Sequence, residues 1–256
     1  MASDDERSGV VQRVGAVLRG LGSFEPGGAS TTGLARHVGL ARATTHRLLT
    51  SLQVEGLVDR DRTSGRWHLG AEMYLLGNAA AARYDISDAA RRVVHQLAET
   101  TGESAFLSAV RGDDTVCLLR EDGSFPLRSH VLHEGIRFPL GVASAGLAIL
   151  SMMTDREVDD YLTRVDLTGE WGPAHGAAAL RERIAQTRLD GFATNPGLVV
   201  EGSWGLGAAV FDGHGRPAWA LSLTGVETRF SSERRPQLGR LLLEAAHRLS
   251  TAVSSQ

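Results

Sequence analysis

Two groups of residues in this chain have the types and spacing for chemistry. The first is basic: from Thr31 to Gly70 the arginines Arg36, Arg42, Arg47, Arg60, Arg62 and Arg66 face only three acids, Glu55, Asp59 and Asp61, although the whole chain carries a net charge of −3. Arginine presents a planar fork of donors that matches a phosphate or the O6/N7 edge of guanine, so a local positive patch in an acidic chain is where nucleic acid would be met. Every basic residue is arginine and none is lysine, which genome composition explains as readily as function does. The second group is hydroxylic: Ser144 in Gly141-Val142-Ala143-Ser144-Ala145-Gly146, and Ser222 and Thr224 two residues apart.

The hydroxyl group does not read as a catalytic centre. Ser144 stands one place late for a G-x-S-x-G nucleophile elbow, and no Asp or His pairs with it by spacing. A hydrolase using Ser144 is therefore the lesser alternative. Gly202, Gly205 and Gly207 lack the helix that follows a phosphate loop, since Ala208–Phe211 is an apolar run. His130 and His133 resemble half a metal site without a partner cluster, and the single cysteine, Cys117, excludes an intramolecular disulfide and any multi-cysteine zinc site. No metal, cofactor or catalytic residue is expected.

The elements that must hold these residues can be read from periodicity. Val10, Val14, Val17, Leu18 and Leu21 follow helical spacing, and Gly22–Ser30 is a loop. Thr31 or Thr32 caps a short second helix through Val38, Gly39 stops it, and a third helix runs from Ala41 to about Glu55. Two helices around a short glycine turn form a helix-turn-helix. With Leu48 set inward, Ala41, Thr44, Thr45 and Leu52 are buried and Arg42, Ala43, His46, Thr50 and Gln53 exposed. Leu57–Arg62, the turn Thr63-Ser64-Gly65 and Arg66–Leu69 then read as a two-stranded wing.

Gly70–Arg83 reads as a linking helix, and Ser87 caps another amphipathic helix ending near Gly102. Strands follow at Ser104–Val110, Thr115–Arg120 and Leu127–Leu132, then helices at Ala143–Met153, Asp155–Val165 and Ala177–Asp190. A hairpin of Trp204–Phe211 and Ala218–Thr224 precedes a last helix capped near Ser231. Strands with helices gathered to one side imply an α+β domain on a mostly antiparallel sheet. The expected organisation is a flexible terminus (1–8), a winged helix-turn-helix (9–70), a linker helix (71–86) and an effector-binding domain (87–256). No apolar run approaches the roughly 20 residues of a membrane span. Met1–Ser8 lacks the features of a secretion signal, so a cytoplasmic location is expected.

Distributed motifs complete the picture. Leu34-Ala35-Arg36-His37-Val38-Gly39-Leu40, Thr44-Thr45-His46-Arg47-Leu48-Leu49, Leu52–Val58 and Gly65–Gly70 stand in the first part. Gly135–Leu140 leading into Ala145–Leu150, and Asp212-Gly213 with Ala220–Gly225, stand in the second. In this order and spacing the chain resembles the isocitrate lyase regulator (IclR) family of bacterial transcription factors, from about Val11 to Ala252. The resemblance implies a GAF-like effector domain, dimerisation mainly through the N-terminal domains, and dimers of dimers in many members. Two positions depart from it. Where many relatives have a cysteine after the Glu-Gly pair, this chain has Glu201-Gly202-Ser203-Trp204-Gly205, and Gly141 stands where many have histidine after Pro-Leu.

The expected function is DNA-binding transcriptional regulation under control of a small-molecule effector. Arg42 is the expected guanine reader, with His46 and Ala43 beside it, Arg47 on phosphate, and Arg62 and Arg66 reaching backbone or minor groove. Thr32 and Thr45 complete the candidate DNA contacts. A dimer on a near-palindromic operator, with recognition helices about 34 Å apart or a multiple, is implied. The effector, a small organic or aromatic acid, is expected between the sheet and the Ala143–Met153 helix, against Cys117, Leu119, Gly141, Ala143, Ser144, Trp204, Ser222 and Thr224. The bland alternatives are that Ser222 and Thr224 simply bond to neighbours and that Cys117 is a small core residue. A ligand-independent DNA-binding protein is the third reading, which leaves the larger part of the chain without a purpose.

Overall fold

The computed structural model describes residues 4–81, 87–126 and 131–254, and it divides into two units, Met1–Asp85 and Ile86–Gln256. The first unit runs α1 (Asp4–Gly22), α2 (Thr31–His37), α3 (Arg42–Val54), β1 (Val58–Arg60), β2 (Trp67–Leu69) and α4 (Ala71–Ala81). Asp4–Ser8 belong to α1. The cap of α2 is Ser30, not Thr31 or Thr32: its backbone is extended and its Oγ accepts from Gly33 N at 3.0 Å. Gly39 takes φ 66°, the left-handed conformation that ends a helix.

The core of this unit is built from Val17, Leu21, Leu34, Leu49, Leu52, Val58 and Trp67. α3 turns Thr45, Leu49 and Leu52 into it, while Leu48 is only half-buried. The inward stripe is thus centred about 65° from Leu48, toward Leu49. β1 and β2 pair antiparallel with Val58 opposite Leu69, and Ala29 adds a bridge to Trp67 through N–O bonds of 2.9 Å both ways. Glu25 fastens that loop, its carboxylate accepting from Leu69 N at 2.8 Å and lying 3.0 Å from His68 Nδ1.

The second unit is one antiparallel sheet of six strands in the order β5-β4-β3-β8-β7-β6. The strands are β3 (Ser104–Arg111), β4 (Asp114–Glu121), β5 (Arg137–Pro139), β6 (Ala193–Pro196), β7 (Ser203–Phe211) and β8 (Pro217–Val226). Helices cover both faces, not one. Alternate residues Ala105, Leu107, Leu206, Ala208, Leu221 and Leu223 pack on α5 (Ser87–Thr101) and α10 (Arg235–Ser254). The opposite face, with Phe106 and Ala220, packs under α6 (Ser144–Ser151), α7 (Asp155–Arg164) and α9 (Ala177–Asp190), with α8 (Thr168–Trp171) and a 3-10 turn at Pro173–His175 between them.

The hydrophobic alternation of β7 and β8 reads as two-sided because both faces are covered. Of the expected strand Leu127–Leu132, residues 127–130 lie outside the described residues, and Val131 and Leu132 are not in a strand. The sheet edge is instead β5, three residues paired to β4. A bulge in β4 falls between the pairs Leu107–Leu119 and Ser108–Cys117. The extra residue reverses the alternation, so Cys117 faces α6 while Leu119 faces α5 and α10.

Candidate nucleic-acid interface and effector cavity

α3 presents Arg42, Ala43, His46, Arg47, Thr50 and Gln53 to solvent. Thr45 does not belong with them. It is 0% exposed and its Oγ1 donates back to Ala41 O at 3.2 Å, so it fills the core under the helix. Helical geometry explains this, because Thr45 precedes Leu49 by four residues and shares its stripe. Thr32 is exposed in the first turn of α2.

The wing is shaped by Asp61. Its Oδ1 accepts from Thr63 N at 3.1 Å, Ser64 N at 2.6 Å and Ser64 Oγ at 2.7 Å. Those hydrogen bonds, Ser64 foremost, hold the Asp61 carboxyl below its ordinary range. Arg62 stands exposed beside this turn. Arg66 is exposed as well, but its Nη1 donates to Gly27 O at 3.2 Å and Gly28 O at 3.1 Å, tying the wing to the loop before α2. Arg60 instead lies over the Trp67 ring at 5.3 Å. Arg62 is thus the freer of the two expected backbone contacts.

In the second unit a cavity of about 20 Å³ opens beside the N-terminus of α6. Ala143, Ser144 and Thr224 line it, as expected. Asn195, Val131 and Val199 line it too, and the sequence reading did not place them there. Asn195 is 4% exposed; its Nδ2 donates to Val142 O at 2.7 Å and its Oδ1 accepts from Leu198 N at 2.9 Å. It sits in β6, a four-residue strand too short to show a period.

Ser222 and Thr224 do share one strand face. They pair across β7 with Gly207 and Gly205, and those two glycines let the start of α6 come close: a Cβ on Gly207 would meet Ser144 O at 2.4 Å. Ser222 Oγ and Thr224 Oγ1 are buried with no hydrogen-bond partner among the described residues. Buried hydroxyls are nearly always satisfied, and each orphan costs about 1–3 kcal/mol. α6 adds an N-terminus whose cap residue, Ala143, has no side chain to accept from its free amides.

Three expected cavity residues lie elsewhere, and Ser222, 0% exposed in β8, is not on the cavity wall. Leu119 is on the far face of the sheet, for the bulge described above. Cys117 is core: it is 2% exposed, its Sγ donates to Leu119 O at 3.5 Å, and burial pushes its thiol up to about 12. Gly141, at φ 88°, packs where a Cβ would meet Leu180 Cδ2 at 2.8 Å, which makes it a packing position. Trp204 contributes to the cavity wall, but its indole packs with the α10 layer, under the Arg235 guanidinium at 5.1 Å. Strand alternation explains it, since Gly205 and Gly207 take the α6 face. His133 is exposed, His130 lies outside the described residues, and no metal-ligand group occurs among the described residues.

Comparison with known proteins agrees with both halves. The IclR helix-turn-helix domain matches residues 10–62, and the bacterial transcriptional regulator IclR C-terminal domain matches residues 78–251. The acetate operon repressor of Salmonella typhimurium is 27% identical over 95% of this chain and 91% of its own length. The glycerol operon regulatory protein of Streptomyces griseus is 31% identical over 95% of this chain and 94% of its own. In structure, an IclR homologue from Microbacterium hydrocarbonoxydans complexed with 4-hydroxybenzoate superposes with a TM-score of 0.74 at 19% identity, covering 94% of this chain and 98% of that one. No described helix is long and apolar enough to cross a membrane. With a winged helix-turn-helix ahead of a six-stranded antiparallel domain, and both family domains matched in order, the chain belongs to the IclR family of DNA-binding transcriptional regulators.

Proposed function

We propose that this regulator is a repressor whose operator affinity is set by a small organic or aromatic acid bound beside α6. The observation that carries the effector reading is Thr224 Oγ1 on the cavity wall, buried and without a hydrogen-bond partner among the described residues, with Ser222 Oγ equally unpartnered on the same strand face, beside the open amides at the start of α6. Donors and acceptors left unmet in one concave place are what a polar ligand satisfies. A carboxylate suits the positive end of the helix. The relative complexed with 4-hydroxybenzoate supports that ligand class, and the relative called an acetate operon repressor supports the sign of regulation.

A cavity of about 20 Å³ is far below the roughly 300 Å³ of a small-molecule site, so binding has to move wall side chains. A ligand that requires one conformation shifts the population toward it, which is the physical basis for control of DNA affinity. The DNA side rests on Arg42, Ala43 and His46 reading the major groove, with Arg47 and Arg62 on the backbone. A homodimer, or a pair of dimers, presents two such helices to a near-palindromic site in the cytoplasm. The wall chemistry favours binding over hydrolysis: beside Ser144 stand Asn195, Ser203 and Thr224, and none of the described wall residues is a His, Asp or Glu.

A screen of small carboxylic and aromatic acids by thermal shift, followed by operator binding with and without each hit, tests the proposal. A hit should alter operator affinity in the wild type and lose its effect in Thr224→Val. Acids that stabilise Thr224→Val and the wild type equally would place the effector elsewhere.

A further inference from the structure

α9 carries a buried charge that no described residue neutralises. Leu180, Ile184 and Thr187 point α9 inward, and Arg183 lies on the same side, three residues after Leu180 and four before Thr187. Its Nε, Nη1 and Nη2 are all buried and all without a hydrogen-bond partner among the described residues. Elsewhere on the same helix the rule is obeyed: Arg188 spends its donors on Ser151 O at 2.8 Å, Met153 O at 2.9 Å and Asp155 Oδ1 at 2.7 Å. The other deeply placed ion cluster is also complete, with Glu103, 2% exposed, held by both Arg229 and Arg234.

Two more orphans lie in α8 and the turn after it, which packs against α9. His175, 1% exposed, has its Nδ1 2.8 Å from Trp171 O, and its Nε2 makes no hydrogen bond of ordinary geometry among the described residues, with the Val142 backbone its other polar neighbour. Trp171 Nε1 is buried and unpartnered as well, with its ring 6.4 Å from His175 and edge-on to Phe138 at 5.5 Å. Burial first, and also the charge of Arg183, hold the His175 imidazole below its ordinary range, so the guanidinium is close enough to be felt. Burial lowers Arg183 only to about 10, so it remains charged at neutral pH. An unpaired buried guanidinium is among the least favourable arrangements a fold can hold, and buried charges are ordinarily paired or bound to a counter-ion.

We propose that Arg183, together with Trp171 Nε1 and His175 Nε2, forms a second ligand site that takes a small oxyanion, a carboxylate or a phosphate group. It goes beyond the effector reading above, because none of these three residues lines the cavity beside Ser144. The guanidinium fork supplies paired donors for two oxygens and the indole N–H a third, and the imidazole can accept only from a ligand that keeps an O–H, as hydrogen phosphate does and a carboxylate does not.

The test is thermal unfolding of the full chain with inorganic phosphate, acetate or benzoate, each against sodium chloride at equal ionic strength. At about one hundred times Kd an oxyanion in this site should raise the Tm of the wild type by roughly 5 °C. Arg183→Met should abolish that shift and, in anion-free buffer, melt no lower than the wild type, because it removes an uncompensated charge. Trp171→Phe keeps the ring and loses one donor, so it should shrink the shift; it serves as the test if Arg183→Met does not fold. Ser222→Ala should retain the shift. A response to phosphate alone identifies the group as phosphate, and a response to acetate or benzoate alone as carboxylate. No response in the wild type, an equal response in Arg183→Met and wild type, or a response lost in Ser222→Ala but kept in Arg183→Met overturns the proposal.

Discussion

The indole Nε1 of Trp67 donates to the Thr31 hydroxyl at 3.0 Å, joining the returning strand of the wing to the first residue of α2. Trp67 is 1% exposed and its ring also meets His46 at 6.3 Å, edge-on. One side chain thereby fixes the angle between the wing and the helix-turn-helix. Trp67→Phe should cost about 1–3 kcal/mol through the lost hydrogen bond and the smaller ring. Denaturant unfolding of the DNA-binding half should report that loss, and operator affinity should fall with it.

Arg42 and Arg62 should separate by mechanism. Arg42 is exposed at the start of α3, where a groove-bound helix meets base edges, and Arg62 is exposed at the wing. Arg42→Ala should lose about 1–3 kcal/mol on the operator and relax preference at one base pair. Arg62→Ala should weaken specific and random duplex alike and reduce the salt slope by about one. Binding isotherms over a range of salt, on operator and on scrambled duplex, distinguish the two.

Thr45 offers the opposite test. Because its side chain is buried and its hydroxyl is spent on Ala41 O, Thr45→Val should leave operator affinity within about two-fold and stability within about 1 kcal/mol. A large loss of DNA binding at unchanged stability would mean that this residue reaches DNA after all.

Gly205 and Gly207 should respond unequally to alanine. A Cβ on Gly207 would meet the backbone, Ser144 O at 2.4 Å, whereas on Gly205 it would meet Ser144 Oγ at 3.0 Å, a side-chain atom that can rotate. Gly207→Ala should therefore cost about 1–3 kcal/mol by pushing α6 off β7, and Gly205→Ala less. Melting of the second unit checks the stability difference. The Gly207 variant should also lose its response to any acid found in the screen.

Much of this protein could be read from local pattern. The hairpin of β7 and β8 follows from apolar runs around Asp212-Gly213-His214-Gly215, and α9 spans Ala177–Asp190 as its periodicity predicts. The wing, the glycine stop after α2 and the exposed basic side of α3 follow from turn chemistry and from charge counted along 40 or so residues. Such features need only neighbours in sequence. Ser222 and Thr224 fall on one face because a strand has a period of two, and no tertiary information is needed for that.

What the sequence by itself determined is the order of elements, the polar side of α3 and the shared face of Ser222 and Thr224. Only the tertiary structure decided the rest, because those features depend on contacts between distant segments. One inserted residue in β4 sends Leu119 to the opposite layer from Cys117, and no local propensity marks that bulge. β5 and β6 are three and four residues long and exist through pairing with β4 and β7. Leu48, inward by pattern, is only half-buried while Leu49 beside it is fully buried, because packing of α3 against the rest of that core sets its rotation. Arg183 looks like a surface arginine on an amphipathic helix. Only packing against the turn at Pro173–His175 and its surroundings takes its charge out of water, and that desolvation turns an ordinary residue into a site.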